Sequence, residues 1–221
     1  MKDVKQNTLK EEKIFNFLKK NNDFAWHLSL YEELESTNDY LIEFANPNEY
    51  CLCVAESQTK GRGRNLKKWQ SPKYENIYMS LSFSTNQELK NFSSFSLVSA
   101  LAVHNVLLRQ NIFMKNNTEI DRDWTSLKLE FENIEIDRNE IISEIANEVL
   151  LLKLDFEKKG FDYFVKDFNR LNFLKDKKVF LSNLVNKEGT ALDVNSDGSL
   201  NVRMGNKTKK ISSGEVSIKI N

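Results

Sequence analysis

Hydrophobic positions recur along this chain at two spacings, and the change between them marks out its elements. Residues 8–20 set Ile14, Phe15 and Leu18 near one face of an amphipathic helix. Trp26 to Leu34 reads as a strand. Ser36-Thr37-Asn38 opens a short helix over Asp39 to Phe44, which Pro47 terminates. Tyr50 to Ala55 is almost continuously apolar, the pattern of a strand buried on both faces. Asn76 to Phe83 alternates, with Ile77, Met79, Leu81 and Phe83 on one side. Helical spacing returns at Leu97, Val98, Leu101, Ala102, Val106 and Leu107, predicting a core-packed helix over Phe95 to Gln110. Residues 111–136 are less regular. Asp137 then has the form of an N-cap with Glu140 as its capping-box partner, launching a helix to Lys159 that Gly160 ends. A further helix follows from Phe161 to Leu171. From Lys177 onward the pattern is short strands and turns: Val179 to Leu184, Thr190 to Val194, a turn at Ser196-Asp197-Gly198, Leu200 to Met204, and Lys210 to Ile220. That tail predicts a small β-barrel, too short to stand alone and so docked on its neighbour.

Charge and composition narrow the function classes. Thirty-two basic residues balance thirty-two acidic ones, so no global field points to nucleic acid or to a membrane surface. No apolar run, Val149 to Leu152 included, is nearly long enough to cross a bilayer. The polar start Met1 to Gln6 lacks the apolar segment of a signal peptide. Cys51 and Cys53 sit two apart in a strand-like run, poorly placed for a disulfide and too few for structural zinc. They read as reduced, buried thiols of a cytoplasmic protein. One helix before residue 30 leaves no room for a winged-helix DNA-binding domain. His27 and His104 have no partner spacing and are assigned no catalytic role.

The densest chemistry lies between Ala55 and Trp69. Gly61 and Gly63 permit close backbone approach to a ligand. Arg62 and Arg64 supply planar, always-charged donors suited to phosphate or carboxylate, and Trp69 adds a flat apolar wall. Arg/Gly runs also occur in disordered RNA-binding tails, but this one lies between two expected strands. An anion-gripping loop is therefore the better reading.

Four segments appear in order: Glu35-Ser36-Thr37-Asn38-Asp39-Tyr40-Leu41, Ala55 to Arg64, Trp69-Gln70-Ser71-Pro72 and Asn76-Ile77-Tyr78-Met79-Ser80. The series resembles the N-terminal half of the catalytic domain of biotin–protein ligases. The tail, with Gly189 to Val194, Asp197-Gly198-Ser199-Leu200 and Gly214 to Ile218, is similar to that family's C-terminal SH3-like barrel. The resemblance implies an α+β fold: a class II synthetase-like catalytic domain, a mixed sheet with helices, over 1–175, and an SH3-like β-barrel over 176–221. It implies that biotin and ATP form biotinyl-5′-AMP, and that biotin then passes to a lysine of the biotin carboxyl carrier protein of acetyl-CoA carboxylase. Ser36, Thr37, Asn38 and Gln58 would meet the ureido ring. Gly61, Arg62, Gly63 and Arg64 would cover the acyl-phosphate, with Arg62 and Arg64 as the catalytic cations, and Trp69 would exclude water. Taken alone, Ser36 and Thr37 are plain N-caps. Magnesium is implied by the ATP chemistry only, and no carboxylate cluster marks ligands for it. The resemblance brings no nucleic acid and no membrane, and it admits a homodimer.

The family's Trp-Pro-Asn-Asp element, the lysine before its Gly-Ile-Leu strand and its Gly-x-Gly-Ile-Asn strand have no match. The only prolines are Pro47 and Pro72, and no glycine lies between Gly63 and Gly160. Asn111-Ile112 reads as the remnant of the last strand, with a deletion near 110/111. Lys115 and Lys128 are the nearest lysines, and nothing around them recommends either. Leu66 stands where the family loop usually has another glycine. These departures predict impaired catalysis. A non-catalytic relative that binds a ligand or partner is the alternative, and a lipoyl-type ligase fits the Gly-Arg-Gly-Arg loop less well.

Overall fold

A computed structural model of the protein describes residues 8–20, 22–63, 69–88, 92–110, 136–182, 187–212 and 217–220. The chain divides into two compact units, residues 1–85 with 105–148, and residues 86–104 with 149–221.

The first unit is built on a three-stranded mixed sheet. β1 (Trp26–Tyr31) pairs in parallel with β2 (Tyr50–Ala55), and β2 pairs antiparallel with β3 (Tyr78–Ser82). β2 is the centre, and from Cys51 to Ala55 every residue is buried, as its unbroken apolar run predicts. α2 (Thr37–Phe44) connects β1 towards β2 and packs Leu41 against Cys51 and Cys53. Both thiols are free and buried, and burial pushes the Cys53 thiol up to about 12, so it stays neutral and behaves as an apolar side chain. The strand expected to reach Leu34 stops at Tyr31, and Leu34 keeps only an isolated parallel bridge to Gln58. β3 also departs from expectation. Its deeply buried residue is Tyr78, while Met79 and Leu81 on the other face are half-buried.

α1 (Glu11–Lys20) buries Ile14 and Leu18. Phe15 stays half-buried under the Lys19 ammonium, 4.3 Å from its ring centre, and is not part of the core face. Polar groups of α4 (Arg138–Lys159) fasten the helix. Asn139 Oδ1 accepts from Lys10 N at 2.7 Å, Ser143 Oγ donates to Ile14 O at 3.0 Å, and Asn147 Nδ2 donates to Leu18 O at 3.1 Å. Trp26 Nε1 completes the set by donating to Asn147 Oδ1 at 3.1 Å. Lys10 N at the start of α1 and Leu18 O in its last turn are end groups that the helix leaves open, and Asn139 and Asn147 satisfy them. Ser143 Oγ shares its hydrogen between Ile14 O and Asn139 O.

Asp137 caps α4, accepting from the backbone N–H of Asn139 at 2.9 Å and from its side-chain amide at 2.7 Å. Partial burial pushes its carboxyl up, but those hydrogen bonds and the Lys13 ammonium outweigh this and hold it below the usual aspartate range. A group whose folded pKa is lowered stabilises the fold in full above its unfolded pKa of about 4. That contribution is lost as pH falls through the lower folded value. Asp137→Ala is expected to cost about 1 kcal/mol at neutral pH. In urea unfolding, the gap between variant and parent should close in acid.

The second unit carries the first part of α3 (Phe95–Arg109), the last part of α4, a 3-10 turn (Phe161–Tyr163), α5 (Val165–Leu171) and a five-stranded antiparallel sheet. The helix expected over Phe161 to Leu171 is broken at Phe164. Gly160, at φ +69°, closes α4 as its position predicts. The sheet runs in the order β7-β6-β5-β4-β8, with β4 (Lys178–Ser182), β5 (Lys187–Val194), β6 (Leu200–Met204), β7 (Lys207–Ile211) and β8 (Ser217–Ile220). Lys210 to Ile220 is not one strand: Gly205 at φ +58° turns β6 into β7, which takes in Lys210 and ends at Ile211, Ser212 is outside any strand, and β8 is Ser217–Ile220. Gly198 (φ +83°) fits tightly, since a Cβ there would lie 2.6 Å from Ser94 Cβ. Among the described residues, no helix is long and apolar enough to cross a membrane.

Candidate functional site

Ser36 opens α2 as its N-cap, with Oγ accepting from Asp39 N at 3.3 Å. Thr37, the first helical residue, is buried, and its backbone N–H donates to Gln58 Oε1 at 2.9 Å. Its Oγ1 donates to the same oxygen at 3.2 Å. The single hydroxyl hydrogen of Thr37 is committed there, so Ser80 is the donor in the 2.8 Å Thr37–Ser80 contact. Two donors on Oε1 assign the orientation of the Gln58 amide. Its Nε2 is thereby left as a donor, 3.3 Å from where a Cβ on Gly61 would sit. Ser71 Oγ and Trp69 Cβ are equally near that point, so Gly61 fills a space that no side chain enters without displacing them.

The chain after β2 runs alongside the segment before α2. Leu34 N donates to Ser57 O, Thr59 N to Leu34 O and Lys60 N to Glu35 O, at 3.2, 3.0 and 2.8 Å. Two ion pairs repeat this alignment: Lys60 with Glu35 at 2.6 Å, and Arg62 Nη2 with Asp39 Oδ1. Trp69 N donates to Gly61 O at 2.9 Å, which brings the loop's two ends together. The Trp69 side chain is 56% exposed, open to stack on a ligand.

A buried ion pair supports this arrangement from behind. Glu56, next to Ser57 and Gln58, pairs with Arg138 at 2.8 Å, with side chains only 3% and 5% exposed. Glu56 Oε1 also accepts from Leu9 N at 2.6 Å, and Arg138 donates to Asn76 O at 2.9 Å. Tyr78 closes the turn above β3, donating to Pro72 O at 2.9 Å and accepting from Asn76 Nδ2 at 3.0 Å.

Of the residues singled out from sequence, Ser36, Thr37, Gln58, Gly61, Arg62 and Trp69 come together around the start of α2. Gly63 is half-buried beside them. Asn38 belongs to the same turn but is exposed. Arg64 and Asn111 lie outside the described residues, as do Leu66, Lys115 and Lys128. Sequence reasoning missed Ser80, Asp39, Glu56 and Arg138. Ser80 was findable, because the alternation of β3 puts it on the face of Tyr78, opposite Met79 and Leu81. Among the described residues, no three His, Cys, Asp or Glu side chains gather to hold a metal ion, so magnesium is given no ligands here.

Similarity to known proteins follows the same residues. The model of the biotin/lipoate A/B protein ligase family matches residues 30–133. The bifunctional ligase/repressor BirA of Bacillus subtilis is 37% identical over 79 residues, 35% of this chain and 24% of that one. The chain thus matches about a quarter of that relative's length. BirA of Escherichia coli is 24% identical over 242 residues, covering 84% of this chain and 72% of that one. That alignment is longer than the 221 residues of the chain, so stretches of the relative have no counterpart here. The biotin protein ligase from Aquifex aeolicus in complex with biotin and ATP superimposes with a TM-score of 0.74 at 22% identity, covering 88% of this chain and 99% of that one. The Leishmania major biotin protein ligase in complex with biotinyl-5-AMP superimposes with a TM-score of 0.50 at 18% identity, covering 85% and 99%. The mixed sheet with its helices and the antiparallel C-terminal sheet share the fold of these ligases, and the family model matches just under half of the chain.

Proposed function

We propose that the chain binds biotin and biotinyl-5′-adenylate around the start of α2, and that it forms and transfers the adenylate poorly. The observation that carries this reading is the Thr37–Gln58–Ser80 network beneath Gly61, which fixes one amide donor in an otherwise closed corner. Gln58 Nε2 would donate to the ureido carbonyl, and Ser36, Thr37 and Asn38 would line the ring. Arg62 and Arg64 would balance the charge on the phosphate oxygens. Gly61 and Gly63 would let the backbone approach it, and Trp69 would cover the mixed anhydride against water. Asn111 would border the same ligand. Residues 1–175 would make up the catalytic part and 176–221 the SH3-like barrel.

In the reaction this reading assigns, the biotin carboxylate attacks the α-phosphorus of ATP and releases pyrophosphate. A lysine amine of a biotin carboxyl carrier protein then displaces AMP. The work would take place in the cytoplasm. What limits it is the missing lysine, which in the family resemblance neutralises both carboxylate and phosphate. Purified chain with ATP, magnesium, biotin and a carrier domain is expected to label the carrier far more slowly than an ordinary ligase. Labelling at ordinary enzyme rates would contradict the impairment. No labelling, with the melting temperature still raised by the adenylate, would favour the alternative of a non-catalytic binding relative.

A further inference from the structure

We infer that Asp39 is a positioning residue for Arg62, holding one edge of its guanidinium so that another edge faces the phosphate of a bound adenylate. The inference rests on the ligand reading above and assigns a role to a residue outside the family-derived set.

Two features place Asp39 for this task. Its backbone N–H is tied to the Ser36 side chain at 3.3 Å, so it belongs to the capped first turn of α2, next to Thr37. Among the described residues, its carboxylate meets Arg62 through a single pair of atoms, Oδ1 and Nη2. A guanidinium carries five N–H donors and offers more than one two-pronged edge. A single-pronged contact with Asp39 therefore leaves an edge for a second anion. The backbone alignment of 57–60 with 34–35 brings the Arg62 segment to α2, and the Lys60–Glu35 pair repeats the pattern one step earlier.

The physical gain is order, because a long side chain held in one rotamer loses less entropy when a ligand arrives. Charge is also balanced, since Asp39 offsets Arg62 while the site is empty. Both side chains are about half exposed, so the effect is modest and weakens with salt.

The test is calorimetric titration of biotin, and separately of a non-hydrolysable phosphonate analogue of biotinyl-5′-adenylate. The proteins are the parent chain, Asp39→Asn, Asp39→Glu, Arg62→Ala and the Asp39→Asn/Arg62→Ala double variant. Asp39→Asn should weaken analogue binding about fivefold at low salt, the upper reach of an exposed pair. Biotin affinity should not change, Asp39→Glu should restore part of the loss, and Asp39→Asn should have no effect once Arg62 is alanine. Analogue binding by Asp39→Asn equal to or tighter than the parent's overturns the inference. So does an equal loss for biotin, or a loss that persists without Arg62. If the parent chain binds neither ligand, the proposed function fails first and this inference falls with it.

Discussion

Arg138→Ala should lower the free energy of unfolding by about 3–5 kcal/mol, the usual cost of stripping one partner from a buried ion pair. The variant leaves the Glu56 carboxylate uncompensated in a place where it is 3% exposed, and it removes the donor to Asn76 O. Coulombic attraction in the interior and the cost of desolvation are both large, and they nearly cancel while the pair is intact. Removing one charge exposes the uncancelled remainder. Glu56→Gln with Arg138→Met should therefore recover most of the loss, because the neutral amide introduced at position 56 would still accept from Leu9 N. Arg170→Ala, at a 3.8 Å pair with side chains 75% and 66% exposed, should change stability by less than about 0.5 kcal/mol. Urea unfolding of the four proteins measures all three differences. Equal effects at the buried and exposed pairs would show that the Glu56–Arg138 clamp does not hold the loop root in place.

The second large effect is expected on binding. Gln58→Ala removes the acceptor for both Thr37 donors, which should cost about 1–3 kcal/mol of stability. It also removes the Nε2 donor, which should weaken biotin binding by about tenfold. Gln58→Glu separates the two roles. Its carboxylate still accepts from Thr37 N and Oγ1, so the fold should lose little, but it has no N–H to give and binding should fall at least about tenfold. Retained biotin affinity in Gln58→Glu would mean that the amide serves the fold alone.

Much of this architecture is written in local patterns. The buried strand at Tyr50–Ala55, the cap at Ser36 and the helix stop at Gly160 each follow from a few adjacent residues. What stayed hidden depends on residues far apart. Glu56 and Arg138 look like any surface charges in sequence, and only the fold buries them side by side. Thr37 and Ser80 meet across 43 positions, and a hydroxyl in an alternating strand does not announce its partner. Asp39 reads as a favourable charge in a first helical turn until the loop brings Arg62 to it. Other errors were local ones. Gly205-Asn206 is an ordinary turn signal inside a stretch read as loop and strand, and Phe164 breaks a helix whose apolar spacing continues through it. The choice of core face on β3 failed for another reason. Tyr78 reaches Pro72 O with its hydroxyl, so a polar tip accompanies the deepest ring.

The most direct test of the ligand reading is titration of the purified chain with the non-hydrolysable biotinyl-5′-adenylate analogue, followed by calorimetry. Saturable one-to-one binding, tighter than that of biotin alone and weakened by Gln58→Glu, is the predicted result. No binding of either ligand, or binding that ignores Gln58, would contradict it.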